Sequence, residues 1–476
     1  MELAGRRVLV VGLGRSGQAA ARFLARRGAA VTGNDLSPAL PPGVEAALAA
    51  CGVRLVLGGH DPALFAAAEL IVLSPGVPPL PALEAATRAG VPVWSELELG
   101  ARALEVPIAA VTGTNGKSTT TELLGAICRE AGLRVFVGGN LGVPLVEAAD
   151  QGPFDLAVVE VSSFQLERIV TFRPRVAGIL NITEDHLDRY PGMDEYVAAK
   201  ARIFENMRAG DDLVLNADDP RVAALARRVR PHVRITWVSP QGGAGAEARA
   251  EPGALVFAPG GGEGPVERYP LERVRLTGRH NVENMLVALA MARRLSVEPA
   301  AIQRALERFA GLAHRIERIA EVAGVAFYDD SKATNVAAVA RALESFATPV
   351  ILIAGGKDKG GDYGPLAPLV RERVKRLVLI GEAAPRLREA LGGLVETVCA
   401  PSLPAAVELA FAAARPGDSV LLSPACSSFD MFRDYLHRSA VFAEAVRALA
   451  ARLAQPAPAG PTAREPSGSA GAEGRA

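Results

Sequence analysis

One octapeptide narrows what this chain can fold into more than any other segment: Thr112-Gly113-Thr114-Asn115-Gly116-Lys117-Ser118-Thr119. It ends the apolar run Ile108–Thr112 and leads into a helical stretch from about Ser118 to Ala131. Strand, glycine-rich loop and helix, in that order, are the setting of a phosphate-binding loop. Glycines let backbone N–H groups curl around phosphate oxygens, and the helix N-terminus adds partial positive charge. Lys117 can reach β- and γ-phosphates, and the Ser118 hydroxyl can serve Mg²⁺. The full pattern has glycine where Val111 stands, so this loop is a shortened variant. An ordinary glycine-rich turn would not need the lysine. Lysine is scarce here: six occur (Lys117, Lys200, Lys332, Lys357, Lys359 and Lys375) among 52 basic residues. Arginine offers neither a compact ammonium nor a reactive neutral amine, so the retained lysines raise a chemical question.

Such a loop presupposes a parallel sheet, and the chain has the matching βαβ rhythm. Arg7–Val11 reads as a strand, Gly17–Gly28 as a helix and Ala30–Asn34 as a strand, followed by strands Arg54–Leu57 and Leu70–Leu73. A second block opens near Pro107, with strands Ile108–Thr112, Asp155–Glu160, Val176–Leu180 and Asp212–Asn216. Its helices fall near Glu195–Met207 and Asn281–Leu295, and Gln241–Pro265 reads as a loop or hairpin insert. A third block from Gly311 alternates strands Val350–Ile353, Leu377–Ile380 and Ser419–Leu422 with helices. Residues Gln455–Ala476 are Pro, Gly, Ala and Ser with few large apolar side chains, and read as a disordered tail. The expected fold is α/β, with three consecutive domains, each a mostly parallel sheet with flanking helices.

Polar residues gather at strand-to-helix junctions, where open α/β sheets bind ligands. Gly12-Leu13-Gly14-Arg15-Ser16-Gly17 follows the first strand, and Asp35 follows the second. That spacing serves NAD, another nucleotide or diphosphate, or a purely structural turn. Glu160 ends an apolar strand downstream of the phosphate loop, where an acid can ligate Mg²⁺ or be a solvated loop acid. Asn181-Ile182-Thr183-Glu184-Asp185-His186-Leu187-Asp188 sets a histidine among acids, as a ligand or as a structural residue. Lys200 lies on the next helix and, taken alone, reads as a solvated lysine. Asp329–Asn335, Gly355–Gly361 and Ser423–Asp430 are three more such junctions. No GxSxG elbow occurs, which argues against a serine hydrolase.

A formal net charge of zero argues against a global polyanion-binding role, and no nucleic-acid partner is expected. No apolar run is long enough to span a membrane. Met1–Gly17 reads as a strand entering a loop rather than a secretory signal, so a soluble cytoplasmic protein is expected. Cys51, Cys128, Cys399 and Cys426 show no CxxC spacing and read as buried thiols of a reducing compartment.

Taken in order, Gly113–Ser118, the blocks around Glu160 and His186, and Gly278-Arg279-His280-Asn281 with Asn284 resemble the Mur ligases over nearly the whole length, tail excepted. Asp330-Ser331-Lys332-Ala333-Thr334-Asn335 and Ser423-Pro424-Ala425-Cys426-Ser427-Ser428 are most similar to the glutamate-adding member. The resemblance implies an ATP-dependent amide ligase of peptidoglycan precursor synthesis, acting through an acyl phosphate. Its substrates would be UDP-N-acetylmuramoyl-L-alanine and D-glutamate, and a monomer is expected. A Rossmann-like domain at 1–106 would hold the UDP precursor, a P-loop ATPase-like domain at 107–310 ATP, and a Rossmann-like domain at 311–454 the amino acid.

Residue by residue, the resemblance gives Gly113, Thr114, Asn115, Gly116, Lys117, Ser118 and Thr119 to the ATP phosphates, and Asn281, Asn284, Arg315 and Asp330 to adenosine. Ser118 and Glu160 would serve one Mg²⁺, and His186 with a carbamylated Lys200 a second. Lys117, His186 and Lys200 would be catalytic. Lys332, Thr334, Lys359, Ser428 and Tyr435 would position D-glutamate, and Ser16, Asp35, Gly76 and Asn140 the UDP-sugar. Two positions depart from the family: Leu36 stands where threonine is usual, and Asp329 where asparagine is common. Another Mur ligase or a folylpolyglutamate-type ligase is the nearest alternative. An NAD-dependent dehydrogenase would leave Gly113–Ser118 idle, and a non-catalytic nucleotide switch would leave the third block's polar loops idle.

Overall fold

The computed structural model describes residues 1–454 apart from 188, 244, 262, 263, 277, 313 and 347. The tail expected from Gln455 onward lies outside the described residues. Three sheets follow one another along the chain. Strands β1 (Arg7–Val11), β2 (Ala30–Asp35), β3 (Arg54–Leu57), β4 (Leu70–Leu73) and β5 (Val93–Ser95) form the first, all parallel, in the order β3-β2-β1-β4-β5. The order reverses between β1 and β4, which opens a crevice at their C-terminal ends. Gly12 lies there at φ +83°, and a Cβ on it would come within 2.5 Å of Val77 Cγ2. At Gly17 a Cβ would fall 1.8 Å from the Gly12 carbonyl oxygen. Glycine is a steric requirement at both positions, whatever ligand the loop serves.

The second sheet contains β6 (Ile108–Thr112), β7 (Val135–Gly139), β8 (Leu156–Glu160), β9 (Val176–Ile179), β10 (Asp212–Asn216), β11 (Arg234–Ser239), β12 (Ala248–Glu251), β13 (Ala254–Phe257) and β14 (Glu267–Pro270). Its order is β14-β13-β12-β11-β10-β9-β6-β8-β7, parallel from β7 to β12 and antiparallel at the last two strands. The insert foreseen between Gln241 and Pro265 thus contains the hairpin β12–β13, which continues the sheet edge. The third sheet has β15 (Glu317–Val322), β16 (Val325–Asp329), β17 (Val350–Gly355), β18 (Val374–Ile380), β19 (Glu396–Cys399) and β20 (Ser419–Leu422), ordered β15-β16-β20-β17-β18-β19. Only the β15–β16 pairing is antiparallel.

Unbroken apolar runs such as Leu156–Val159 and Val350–Ala354 mark strands covered on both faces by helices. In the second sheet the helices Lys117–Glu130 and Arg279–Arg294 cover one face, joined by Pro299–Arg308. Strands β5, β7, β11, β14, β15, β16 and β19 have no counterpart among the strand ranges expected from the sequence; β5 is three residues long, and β7 ends in two glycines. The buried-thiol expectation holds for Cys128 and Cys426 but not for Cys51, which is half-buried, or for Cys399, which is exposed at the end of edge strand β19. Among the described residues no helix is long and apolar enough to cross a membrane.

The helix Glu96–Ala103 couples the first sheet to the second. Glu98, fully buried, accepts hydrogen bonds from the backbone N–H groups of Val170, Thr171 and Phe172, at 2.8–3.0 Å, and from Arg102. Burial alone would raise its pKa, but these donors outweigh it and hold the carboxyl below its usual range. Glu98→Ala leaves three amides and a guanidinium without an acceptor. Removing one side of a buried charged network costs ~3–5 kcal/mol, so the variant should unfold at markedly lower denaturant. An unchanged midpoint would contradict this coupling role.

Candidate active site

The phosphate loop is built as the sequence implied, with one refinement. Val111 is a buried β6 residue in register with Glu160 and Gly178, so the loop begins only at Gly113, φ +151°. Gly116, at φ +85°, caps the helix that begins at Lys117, and a Cβ on it would meet Asn284 Oδ1 at 2.1 Å. The loop is braced from β9: Thr114 N–H donates to the Asn181 carbonyl at 2.8 Å, and Asn115 N–H to Asn181 Oδ1 at 2.9 Å.

Charged side chains crowd beside this loop. Lys117 Nζ donates to the Gly113 and Thr114 carbonyls at 3.1 and 2.8 Å, and Lys200 Nζ donates to the same Gly113 oxygen at 2.7 Å. Lys200 is 1 % exposed, so it is no solvated helix lysine. Burial, then the neighbouring Lys117, pushes its pKa well below the usual lysine value. Burial also lowers Lys117, against the attraction of Glu160 and Asp185. Glu160, likewise 1 % exposed, accepts from Ser118 Oγ and from Asn140 Nδ2, each at 2.6 Å. Burial would raise its pKa, but Lys117, Lys332 and these two donors bring it below normal.

His186 sits at φ +58°, edge-on to Phe164 at 4.7 Å between ring centroids. Burial lowers its pKa to about 4, so the imidazole is neutral at physiological pH. Tyr196 stands between His186 and Lys200, 6.3 Å from the imidazole and with Lys200 Nζ 4.6 Å above its ring. Asp185, just before His186, bonds Lys359 at 3.1 Å and Asn335 at 3.0 Å. Burial opposes its ionisation, yet Lys359 and its other partners hold its pKa near 2. Asn335 also donates to Asn115 Oδ1 at 3.3 Å, so the third sheet's loops touch the phosphate loop directly.

Two cavities flank this junction. One of about 760 Å³ is lined by Asn115, Gly116, Thr119, Asn281, Asn284, Arg315 and Asp330, which brings together all four residues expected at adenosine. Asn115 Nδ2 and Arg315 Nε are buried in its wall with no hydrogen-bond partner, as donors awaiting a polar ligand would be. Asp330 is pushed up to about 7 by burial, against the Ser423 hydroxyl at 2.8 Å. The other cavity, of about 410 Å³, is lined by Asp185, His186, Thr334, Asn335 and Lys359. The five residues expected at D-glutamate are therefore divided. Thr334 and Lys359 face this second cavity, whereas Lys332 lies over the Tyr435 ring at 4.0 Å and interacts with Glu160 and Lys117. Ser428 is buried nearby on the Ser427–Tyr435 segment and lines neither cavity.

In the first sheet Asp35 accepts from Leu13 N–H at 2.6 Å and Ser37 N–H at 2.9 Å, which pins the glycine loop. Ser16 is half-buried beside it, and Gly76 and Leu36 are exposed at the same sheet end. Asn140 lies across the interface on β7's loop, where Arg15 reaches the Gly142 carbonyl at 2.8 Å. Asp329 accepts from Ser331, Ser439 and His314, so the carboxylate in place of asparagine is fully engaged. Asn181, Asp185 and Asn335 lie within the strand-to-helix motifs, but nothing in the sequence alone gives them a role. Glu283, which accepts from Asn181 at 2.6 Å and pairs with Arg341 at 3.6 Å, carried no sequence signal.

The fold and site define a three-sheet, phosphate-loop α/β protein in which loops of the second and third sheets meet at a lysine cluster around Glu160 and Asp185. Family models describe the same three parts: a MurD-like N-terminal domain at 6–95, a Mur ligase middle domain at 111–292 and a Mur ligase glutamate ligase domain at 314–426. The chain belongs to the Mur ligase family. It is 52% identical to the UDP-N-acetylmuramoylalanine--D-glutamate ligase of Geobacter metallireducens over 452 residues, 94% of this chain and 99% of that one. The enzyme of the same name from Geotalea uraniireducens is 50% identical over 456 residues, again 94% and 99% of the two chains. Among solved structures, UDP-N-acetylmuramate-alanine ligase from Thermotoga maritima shares the fold at TM-score 0.60 and 20% identity, covering 93% of this chain and 100% of that one. MurF ligase from the same organism, solved with ADP, gives TM-score 0.58 at 15% identity, over 94% and 99%.

The contact between Gly116 and Asn284 gives a test of the loop. Gly116→Ala forces a Cβ into the asparagine amide at a left-handed residue. Binding of a fluorescent ATP analogue should weaken by about tenfold or more, the scale of one misplaced charge-assisted contact. Wild-type affinity would contradict the packing described.

Proposed function

We propose that this chain is an ATP-dependent ligase that joins D-glutamate to UDP-N-acetylmuramoyl-L-alanine, in the cytoplasm and as a monomer. The observation that carries the reading is the meeting of Lys117, Lys200, Lys332 and Lys359 around Glu160 and Asp185, where the second and third sheets touch. A carboxylate resists amine attack because its oxygen leaves poorly. Transfer of the γ-phosphate of ATP to that carboxylate makes an acyl phosphate with a good leaving group. The amine of D-glutamate then attacks, and the tetrahedral intermediate collapses to amide and phosphate. The first step brings two anions together, and the lysine cluster offsets that repulsion.

Each group has a place in this scheme. The phosphate loop from Gly113 to Thr119 cradles the phosphates, with Lys117 released from its loop carbonyls to reach them. Asn281, Asn284, Arg315 and Asp330 hold the adenosine in the larger cavity. Thr334 and Lys359 take one end of D-glutamate and Lys332, Ser428 and Tyr435 the other. Ser16, Asp35, Gly76 and Asn140 line the path of the UDP-sugar. Ser118 Oγ and Glu160 Oε2, oxygens 2.6 Å apart at the loop mouth, fit a Mg²⁺ ion. Bound there, the metal would neutralise phosphate charge. His186 offers a neutral imidazole for a second ion, but an amine on Lys200 is no hard-cation ligand. Carbamylation, in which the amine nitrogen bonds CO₂ carbon and loses a proton, would make Lys200 an oxygen donor.

ADP release should require both UDP-N-acetylmuramoyl-L-alanine and D-glutamate, and L-glutamate should not substitute. Lys117→Ala should lower turnover by ~10²-fold or more, the scale for deleting one such donor. ADP release indifferent to the amino acid would sink the reading, and a folded, fully active Lys117→Ala would remove the role of the lysine.

A further inference from the structure

Arg189 has no part in the scheme above, yet it joins two halves of it. Its guanidinium lies 4.2 Å over the face of Phe164, the ring that His186 meets edge-on at 4.7 Å. From there Nη1 donates to the Val77 carbonyl of the first sheet at 2.9 Å, and Nη2 to Glu167 at 3.0 Å. Glu167 is itself shared, accepting from Tyr190 OH at 2.6 Å, so the guanidinium is fixed from below. The backbone adds a second tie, because the N–H groups of Arg189 and Tyr190 both donate to the His186 carbonyl at 3.0 Å. Val77, on the other side, packs against Gly12 so tightly that no Cβ would fit between them. A continuous set of contacts thus runs from His186 through Phe164 and Arg189 to Val77 and the Gly12–Gly17 loop.

This contact differs in kind from the rest of the interface. Arg22 and Arg26 of the helix Arg15–Arg26, with Arg27 at its end, pair with Glu147 and Asp150. Those exposed pairs, with the buried Glu96 and Glu98, hold the two sheets together without Arg189. Arg189 alone of these reaches the loop that carries Gly76, at the mouth of the β1/β4 crevice. A guanidinium stacked on an aromatic face and donating at two edges fixes orientation in a way one flexible ammonium cannot.

We infer that Arg189 is a positioning residue that sets the precursor crevice of the first sheet in register with His186 and the phosphate loop. The inference rests on the ligase reading above. Its removal leaves the sheets docked but frees the 75–77 loop, so the reacting carboxylate would no longer be presented to the phosphate loop. Misplacement by a fraction of an ångström is enough to affect a reaction that depends on positioning.

The test is a kinetic split measured on the full chain. Arg189→Ala should raise KM for UDP-N-acetylmuramoyl-L-alanine by about tenfold, the scale of losing a charge-assisted hydrogen bond, with KM for ATP unchanged. Calorimetry should show the same loss in precursor affinity. Arg189→Lys keeps the charge and one donor, and should fall between the two. Arg26→Ala, which breaks an exposed docking pair, should leave both KM values as in the wild type. If Arg189→Ala does not fold, Arg189→Lys carries the test through the same selective rise. Precursor KM within about twofold of wild type, or a loss spread equally over both substrates and melting temperature, overturns the inference. A wild type that releases no ADP with precursor and D-glutamate overturns the ligase reading, and this inference with it.

Discussion

A single carbonyl oxygen organises this site. Gly113 O accepts from the half-buried Lys117 at 3.1 Å and from the fully buried Lys200 at 2.7 Å. Two ammonium groups that close, away from water, repel each other strongly. Glu160 and Asp185 supply compensating charge, but Glu160 is already engaged by Ser118 and Asn140, and Asp185 by Lys359 and Asn335. Burial and the neighbouring Lys117 both push the amine of Lys200, the more deeply held of the two, well below the usual lysine range. A shift in that direction favours the neutral, nucleophilic amine, a form that lysine can adopt and arginine cannot.

The rest of the fold can be read as what holds this arrangement. The second sheet carries the phosphate loop, Glu160 and the His186 turn at the C-terminal ends of adjacent strands β6, β8 and β9. The helix Arg279–Arg294 presses Asn284 against Gly116, and Asn181 stitches β9's exit to the loop. The third sheet contributes Asn335 and Lys359 to the same small volume. Closure of that sheet over bound ATP would exclude water from an acyl phosphate, which hydrolyses when exposed.

Much of this was legible in the sequence, and the limits have physical causes. The phosphate loop and Glu160 could be found because they stand at strand ends with fixed local spacing, whereas Lys200, on a helix, reads alone as a solvated lysine and its role came only with the family resemblance. Local spacing does not reveal which distant side chain a residue will meet. Glu283 and Arg341 form a link between sheets from two unremarkable helix positions. Asp329, where the family commonly has asparagine, is satisfied as a carboxylate by the neighbouring Ser331 and by His314 and Ser439, the last of them 110 residues away. The division of the five glutamate-site residues between two regions is likewise a matter of tertiary placement. Short strands such as β5 and β7 owe their existence to neighbouring strands rather than to their own composition.

We propose that the buried Lys200 amine is carbamylated in the active enzyme, and its modification can be measured directly. Enzyme equilibrated with ¹³C-bicarbonate should show a carbamate carbon resonance that is absent from Lys200→Arg, and bicarbonate removal should lower activity in parallel with that signal. Fully active enzyme with no carbamate resonance, and a protonated ammonium on Lys200, would contradict the account.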